Sequence, residues 1–200
     1  RKCLNEFMES AKSEMDISEY EVIQADLKWE LGDEERKRGD QHSAEELFLQ
    51  GFDILGNLLS RENTSIEVRV NALRRKSGLC IALAKIYKRR KNNSWKEYIE
   101  NAICIVDEGI DIIDSNDVNL PPTPLRTFPY NGCCAYSLLS KWENNFDDQV
   151  KLKIKKLFQR IQSLDSEETH IFKLLRDSDF SHALEKIGNE SWIVPKRKMK

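Results

Sequence analysis

Histidines and neighbouring carboxylates are the side chains of this sequence whose types could perform catalysis. His42, His170 and His182 are scattered, and none has a recognisable partner nearby in the sequence. Acidic pairs such as Glu34–Glu35 are adjacent on a helix and point in different directions, whereas a general acid and base must converge on one substrate. No glycine-rich phosphate loop, Gly-x-Ser-x-Gly or His-Glu-x-x-His motif occurs. We therefore predict no catalytic residue and no cofactor, with an enzyme site assembled from separated residues as the weakest alternative.

Cysteine is the second residue type that could carry chemistry. The five cysteines are Cys3, Cys80, Cys104, Cys133 and Cys134. A zinc site needs closely spaced pairs such as Cys-x-x-Cys together with a second pair or histidines, and that spacing is missing. An odd number at irregular spacing favours free thiols that act as small core groups in a reduced, intracellular protein. We predict no metal site.

Charged side chains are distributed unevenly and offer binding chemistry instead. The chain has 200 residues and a net charge of -2. Residues 1–60 hold 7 basic and 15 acidic side chains, whereas residues 61–100 hold 11 basic and 4 acidic ones. An overall charge near zero excludes a uniformly basic coat for nucleic acid and an acidic tail protein.

The basic segment contains candidate contacts for phosphates or for an acidic partner, namely Arg74, Arg75, Arg89 and Arg90. The same cations could equally complement the acidic first hairpin within the fold. Aromatic residues are not interleaved with them as a stacking platform for bases requires. Nucleic-acid binding by residues 65–91 is therefore the alternative function, behind protein binding.

Helices are predicted as the elements that position these side chains. The five prolines all follow residue 120, and apolar residues recur at spacings of three and four with no long alternating stretch. The fold class is therefore all-α. The predicted helices span residues 4–15, 19–38, 41–60, 65–91, 95–113, 131–142, 147–164, 167–176 and 179–187, with Ser18 as the N-cap of the second.

Prolines interrupt this pattern over residues 116–130. Pro121, Pro122, Pro124 and Pro129 fall within fifteen residues, so we expect an extended connection with polyproline character. This segment also carries apolar side chains, which we expect to cover the helical core. A self-ligand or a partner dock for the groove described below is the alternative role for it.

Two helical segments resemble each other internally. Residues 44–55 and 102–113 share an alanine, an apolar residue four positions later and a glycine seven positions later, followed by apolar-Asp-Ile-apolar. Small residues at that spacing lie on one helix face and allow a neighbouring helix to approach. This internal similarity favours stacked helical hairpins, with chance similarity between amphipathic helices as the alternative.

The spacing of these residues resembles the tetratricopeptide repeat. The matching positions are Leu31-Gly32, Gly39-Asp40, Ala44, Phe48 and Gly51, followed by Leu83-Ala84, Tyr87, Ala102, Val106 and Gly109 in a second unit. The second unit is about six residues too long, and residues 133–161 resemble a degenerate third hairpin. The family's usual tryptophan is displaced by one residue, at Trp29, and its closing proline is out of register.

The resemblance implies a protein-binding scaffold whose first helices line a concave groove for a peptide or a partner helix. Projected onto this chain, the groove positions are Asp26, Trp29, Asp33 and Arg36 on one helix and Gly78, Ile81, Lys85 and Lys88 on the next. Trp29 and Asp33 occupy two positions of the clamp by which chaperone-binding members hold a carboxylate. We therefore predict that this activity is absent.

The ends of the chain suggest a cellular location but not a function. The chain begins with Arg1, which leaves open a fragment or a trimmed product, and residues 1–11 do not resemble a secretory signal. No apolar run is long enough to predict a membrane span. Lys196, Arg197, Lys198 and Lys200 resemble a short nuclear-import signal, and a cytoplasmic location is the alternative.

These observations predict a stacked, tetratricopeptide-like all-α protein acting as a non-enzymatic adaptor for another protein. Residues 1–115 would form the hairpins and residues 116–130 the proline-rich connection. Residues 131–190 would be further helices of the same array, and residues 191–200 a basic tail. Within the groove, Trp29 is the expected apolar anchor, and Asp26, Asp33, Lys85 and Lys88 would set charge complementarity. The oligomeric state is left open.

Overall fold

Helices account for 84% of the residues that the computed structural model describes, which are residues 16–115, 122–164, 169–188, 190, 192 and 193. No strand occurs among them, so the all-α prediction is confirmed. The helices are α1 (Ile17–Arg38), α2 (Gln41–Leu59), α3 (Ile66–Arg89), α4 (Ser94–Ser115), α5 (Pro122–Glu143), α6 (Asp148–Leu164), α7 (Thr169–Leu175) and α8 (Ser181–Ile187). The helix predicted over residues 4–15 and the basic residues at 196–200 lie outside the described part of the chain.

The turn between α1 and α2 forms as the sequence predicts. Gly39 ends α1 in the left-handed conformation, with φ of 92°, which glycine adopts without a steric penalty. Asp40 then caps α2, because its carboxylate accepts hydrogen bonds from the backbone N–H groups of His42 and Ser43. At the start of α1 the predicted cap is wrong: Asp16 accepts from the backbone N–H of Ser18, which lies inside the helix.

The extended connection predicted over the proline-rich segment is wrong for residues 122–130, which belong to α5. Residues 116–121 lie outside the described part. Pro122 and Pro124 fall in the first turn of α5, where backbone N–H groups have no acceptor within the helix in any case. Proline at these positions therefore costs no hydrogen bond.

Pro129 does interrupt the hydrogen-bonding pattern of α5, yet the helix continues through it to Glu143. A proline inside a helix costs about 3 kcal/mol or more. Pro129 is buried, and its neighbour Phe128 is fully buried. Burying one such phenylalanine stabilises the fold by about 1.5–3 kcal/mol, and Cys133 and Cys134 on the next turn are buried too. Tertiary packing therefore offsets the local penalty.

Helix α3 lies at the centre of the packing. Consecutive helices from α1 to α6 pack against each other, most extensively α1 with α2 and α3 with α4, and α3 also contacts both α1 and α5. On one side of α3, Leu79 and Leu83 join the cluster around Phe48. On its other side, Leu73 and Ala84 join the cluster that contains Phe128. The short helices α7 and α8 pack against α5.

The small residues shared by the two similar segments, 44–55 and 102–113, lie at helix contacts. Ala44, Gly51, Ala102 and Gly109 are all buried. A Cβ atom at Gly51 would lie 3.3 Å from Cδ1 of Leu79 and closely approach the α1 backbone, and one at Gly109 would overlap the ring of Phe128. Both glycines therefore permit the approach of neighbouring helices.

No helix among the described residues is long and apolar enough to cross a membrane.

Candidate partner-binding groove

A pocket of about 200 Å³ lies between α1, α3, α5 and the turn that follows α7. Its lining comes from Trp29, Asp33 and Arg36 of α1, Phe48 of α2, Gly78, Ile81, Ala82, Lys85, Ile86 and Arg89 of α3, Tyr130, Asn131 and Cys134 of α5, and Asp177 and Asp179 of the turn. The α1 and α3 positions recur every three or four residues, so each helix presents one face to the pocket.

The floor of the pocket is apolar, and the half-buried ring of Trp29 is part of it. The Trp29 ring packs against the fully buried Phe48, with ring centroids 5.5 Å apart. Gly78 of α3 faces this ring: a Cβ atom there would lie at ordinary contact distance, 3.5 Å from Cζ3 of Trp29. Ile81 and Ile86 complete the apolar surface. The floor can therefore bury an apolar side chain of a ligand.

The α1 rim carries two cations that share one carboxylate. Asp33 accepts a hydrogen bond of 3.0 Å from Nε of Arg36 and pairs with Lys37 at 2.7 Å. Partial burial alone would raise the pKa of Asp33, but the hydrogen bonds from Lys37 and Arg36 outweigh it and hold that pKa below its usual value. Asp33 is thus ionised at neutral pH, and its charge is more than compensated.

The opposite wall holds two carboxylates of the chain itself. Asp179 accepts from Nζ of Lys85 at 2.7 and 2.8 Å, through both carboxylate oxygens. Asp177 accepts from the Tyr130 hydroxyl. Burial and this hydrogen bond raise the pKa of Tyr130, so the phenol is a neutral donor. The polar groups on this wall already have partners from within the chain.

Asn131 and Cys134 add no reactive group to the pocket. The Asn131 amide donates to the Ser77 hydroxyl at 2.8 Å. Burial raises the pKa of the Cys134 thiol well above its usual value, which keeps it protonated and unreactive. His182, outside the pocket, has its pKa lowered by burial. Among the described residues, no group of three or more His, Cys, Asp or Glu side chains is arranged to hold a metal ion.

The structure brings together six of the eight positions that the resemblance assigns to a groove. Trp29, Asp33 and Arg36 line the pocket from α1, and Gly78, Ile81 and Lys85 line it from α3.

Asp26 and Lys88 are the two that lie elsewhere. Asp26 forms an ion pair with Arg75, whose guanidinium carbon lies 5.9 Å from the centroid of the Trp29 ring. Lys88 projects over the ring of Trp95, with its Nζ 4.0 Å from the centroid. At these positions both side chains contact other residues of the fold and do not line the pocket.

Three of the seven cations of α3 form ion pairs inside the protein, and so does Arg90, which directly follows the helix. Arg69 pairs with Glu108 at 2.9 Å, and Arg90 pairs with Glu45 of α2. Of these pairs, Arg75 with Asp26 and Arg90 with Glu45 reach the acidic first hairpin, which the charge pattern allowed as internal complementation. Arg74 is partly buried, and burial together with Arg75 lowers its pKa.

Arg89 differs from the other candidate cations. It is exposed, it lines the pocket, and it makes no ion pair with any residue in the described ranges. Of the four arginines proposed from sequence as phosphate or acidic-partner contacts, only Arg89 is part of the pocket.

The pocket also contains residues that the sequence did not identify. Tyr130 lies in the apolar proline-rich segment, whose unusual composition was its only signal. Asp177 and Asp179 carry no signal at all, because the ion pair with Lys85 joins positions 94 residues apart. Only the packing of the C-terminal turn onto α3 and α5 places them there.

Comparison with known proteins found no matching family model, no matching curated protein and no matching solved structure. The geometry of the pocket therefore carries the functional argument, and the resemblance to the tetratricopeptide repeat stays a prediction.

Proposed function

We propose that this chain is a non-enzymatic adaptor that binds a peptide or helix of another protein in the pocket between α1, α3 and α5. One observation carries the proposal: Trp29, Asp33 and Arg36 of α1 meet Gly78, Ile81 and Lys85 of α3 around a single apolar cavity. All six are positions that the tetratricopeptide resemblance assigns to a groove.

The helix contacts are compatible with stacked hairpins. Alternate helices α1, α3 and α5 contact one another in order, and each also packs against its neighbour in sequence. In a tetratricopeptide-like array the first helices of successive hairpins line the concave surface. We assign α1, α3 and α5 that role and treat α2, α4 and α6 as their partners.

The polar groups of the pocket favour binding over catalysis. Asp33, Lys85, Tyr130 and Asn131 each have a hydrogen-bond partner in the chain, so none is held ready to transfer a proton or to attack a substrate. A half-buried tryptophan ring within an apolar pocket floor is instead typical of the anchor positions in protein interfaces.

The nucleic-acid alternative has less support. The ion pairs of Arg69, Arg75, Lys85 and Arg90 use cations that a phosphate-binding helix would leave free.

The test fills the pocket without disturbing the core. In Gly78→Leu the new side chain starts at ordinary contact distance from Trp29 and extends into the cavity. The control Gly56→Leu makes the same change on α2, outside the pocket, where the nearest atom is the flexible end of Lys76 at 3.5 Å. Truncating Trp29 is less informative, because its ring also packs on Phe48.

We expect a protein captured from native cell extract by the wild type and by Gly56→Leu, but not by Gly78→Leu. The partner, identified by mass spectrometry and purified, should bind the wild type in calorimetry and bind Gly78→Leu at least about tenfold more weakly. Equal binding to all three proteins would overturn the proposal. Capture of nucleic acid, with affinity that falls steeply as salt rises, would replace it with the alternative.

A further inference from the structure

The size of the pocket limits what it can bind. Its volume is about 200 Å³, below the roughly 300–1,000 Å³ of clefts that enclose drug-sized ligands and cofactors. The space between Trp29, Phe48 and Ile81 has room for one large side chain. A partner would therefore insert a single apolar anchor, with its neighbouring residues lying along the rim.

Charge is distributed unevenly around the rim of the pocket. At the end formed by the last turns of α1 and α3, Arg36 and Lys37 share the one carboxylate of Asp33, and Arg89 has no ion pair among the described residues. At the opposite wall, Lys85 is already neutralised by Asp179. Arg89 is therefore the lining cation at this end whose charge no ion pair among the described residues neutralises.

On the basis of the proposed function, we propose that the partner segment is an acidic peptide with one large apolar residue. The apolar side chain enters the pocket beside Trp29 and Gly78, and a carboxylate next to it in the partner's sequence binds Arg89, with Arg36 close by. Asp177, whose hydrogen-bond partner Tyr130 is neutral, disfavours an acidic residue on the other side of the anchor, so it fixes the direction in which the peptide lies.

Selection from a random 12-residue peptide library on the immobilised full chain tests this inference. The wild type should enrich peptides with a large apolar residue flanked by Asp or Glu on one side. Arg89→Glu should lose that acidic preference and shift towards Lys or Arg. Lys156→Glu makes the same charge change at an exposed position of α6 outside the pocket, and it should select the same peptides as the wild type.

An enriched peptide, synthesised with a fluorescent label, then gives affinities by anisotropy. Replacing its apolar anchor by alanine, or its flanking acid by lysine, should each weaken binding at least about tenfold. The acid-to-lysine peptide should bind Arg89→Glu more tightly than it binds the wild type. Peptides with neutral or basic flanks on the wild type, or a preference that Arg89→Glu leaves unchanged, would overturn this inference.

The Gly78→Leu variant separates failure of this inference from failure of the proposed function. Peptides that require an open pocket but carry no acid would overturn the acidic preference and leave the adaptor function standing. If Gly78→Leu enriches the same peptides as the wild type, pocket binding itself fails, and the adaptor function fails with it.

Discussion

Phe48 occupies the space that a side chain at Gly32 would need. A Cβ atom at position 32 would lie 2.5 Å from Cε1 of Phe48, which is far inside van der Waals contact. Gly32 is buried on α1, and Phe48 on α2 is fully buried. Because Phe48 also packs on the Trp29 ring, this close approach of two helices helps to shape the floor of the pocket.

Gly32→Ala should therefore destabilise the protein although alanine is the better helix former. Overpacking a core costs about 1–3 kcal/mol, which exceeds the gain of roughly 0.5–1 kcal/mol from helix propensity. Urea denaturation should show a lower free energy of unfolding. In a Phe48→Leu background the same change should cost less, because the ring it meets is gone; an equal cost in both backgrounds would contradict this explanation.

Gly78→Ala should have the opposite effect. Its Cβ would meet Trp29 at 3.5 Å, an ordinary contact, so the gain in helix propensity of about 0.5–1 kcal/mol is not offset by overlap. Gly56→Ala, whose Cβ would likewise lie 3.5 Å from the nearest atom, is the matched control and should be stabilised similarly. The unfolding midpoint in urea checks both variants, and a loss of stability in Gly78→Ala would show that the space beside Trp29 is not free.

The ion pair between Lys85 and Asp179 should stabilise the C-terminal turn against α3. Both side chains are mostly buried, with 27% and 16% exposed, so the pair is screened less than a surface pair. A double-mutant cycle with Lys85→Met and Asp179→Asn should give a coupling energy of about 1–2 kcal/mol.

The more exposed pair of Arg69 and Glu108, with 36% and 44% exposed, provides the control for that cycle. Its coupling should lie below about 1 kcal/mol. If the two cycles give equal couplings, burial does not strengthen the pair that holds the turn over the pocket.

Acid should remove part of the stability that Asp33 contributes. The pKa of Asp33 in the folded chain lies below its usual value of 3.8, because hydrogen bonds from Lys37 and Arg36 outweigh partial burial. Its contribution is fully present above that usual value and is lost as pH falls through the folded-state pKa. Asp33→Asn should therefore be less stable than the wild type at pH 7, with the difference shrinking below about pH 4.

Urea denaturation at several pH values between 7 and 3 measures this difference. Asp53→Asn is the control, because Asp53 is exposed and makes no hydrogen bond or ion pair among the described residues. A difference between Asp33→Asn and the wild type that stays constant from pH 7 to pH 3 would refute the assignment.

Local sequence signals predicted the helices correctly wherever those signals agree with the tertiary packing. The spacing of apolar residues identified α1 to α4 and α6, and the Gly39–Asp40 turn formed as predicted, because glycine at positive φ and an aspartate cap act within a few residues. The proline-rich segment failed as a prediction for the opposite reason. There the local penalty of Pro129 is real, but it is offset by burial of Phe128 against α4.

The composition and periodicity of this sequence determined an all-α chain, and helical spacing placed Trp29, Asp33 and Arg36 on one face of α1. Only the tertiary structure decided which of the cations are available to a ligand. Arg75, Arg90 and Lys85 are paired by carboxylates from distant segments, whereas Arg89 is left exposed at the rim of the pocket. Helical periodicity acts over three or four residues and is visible in sequence. An ion pair across 94 residues depends on how α3, α5 and the C-terminal turn pack together.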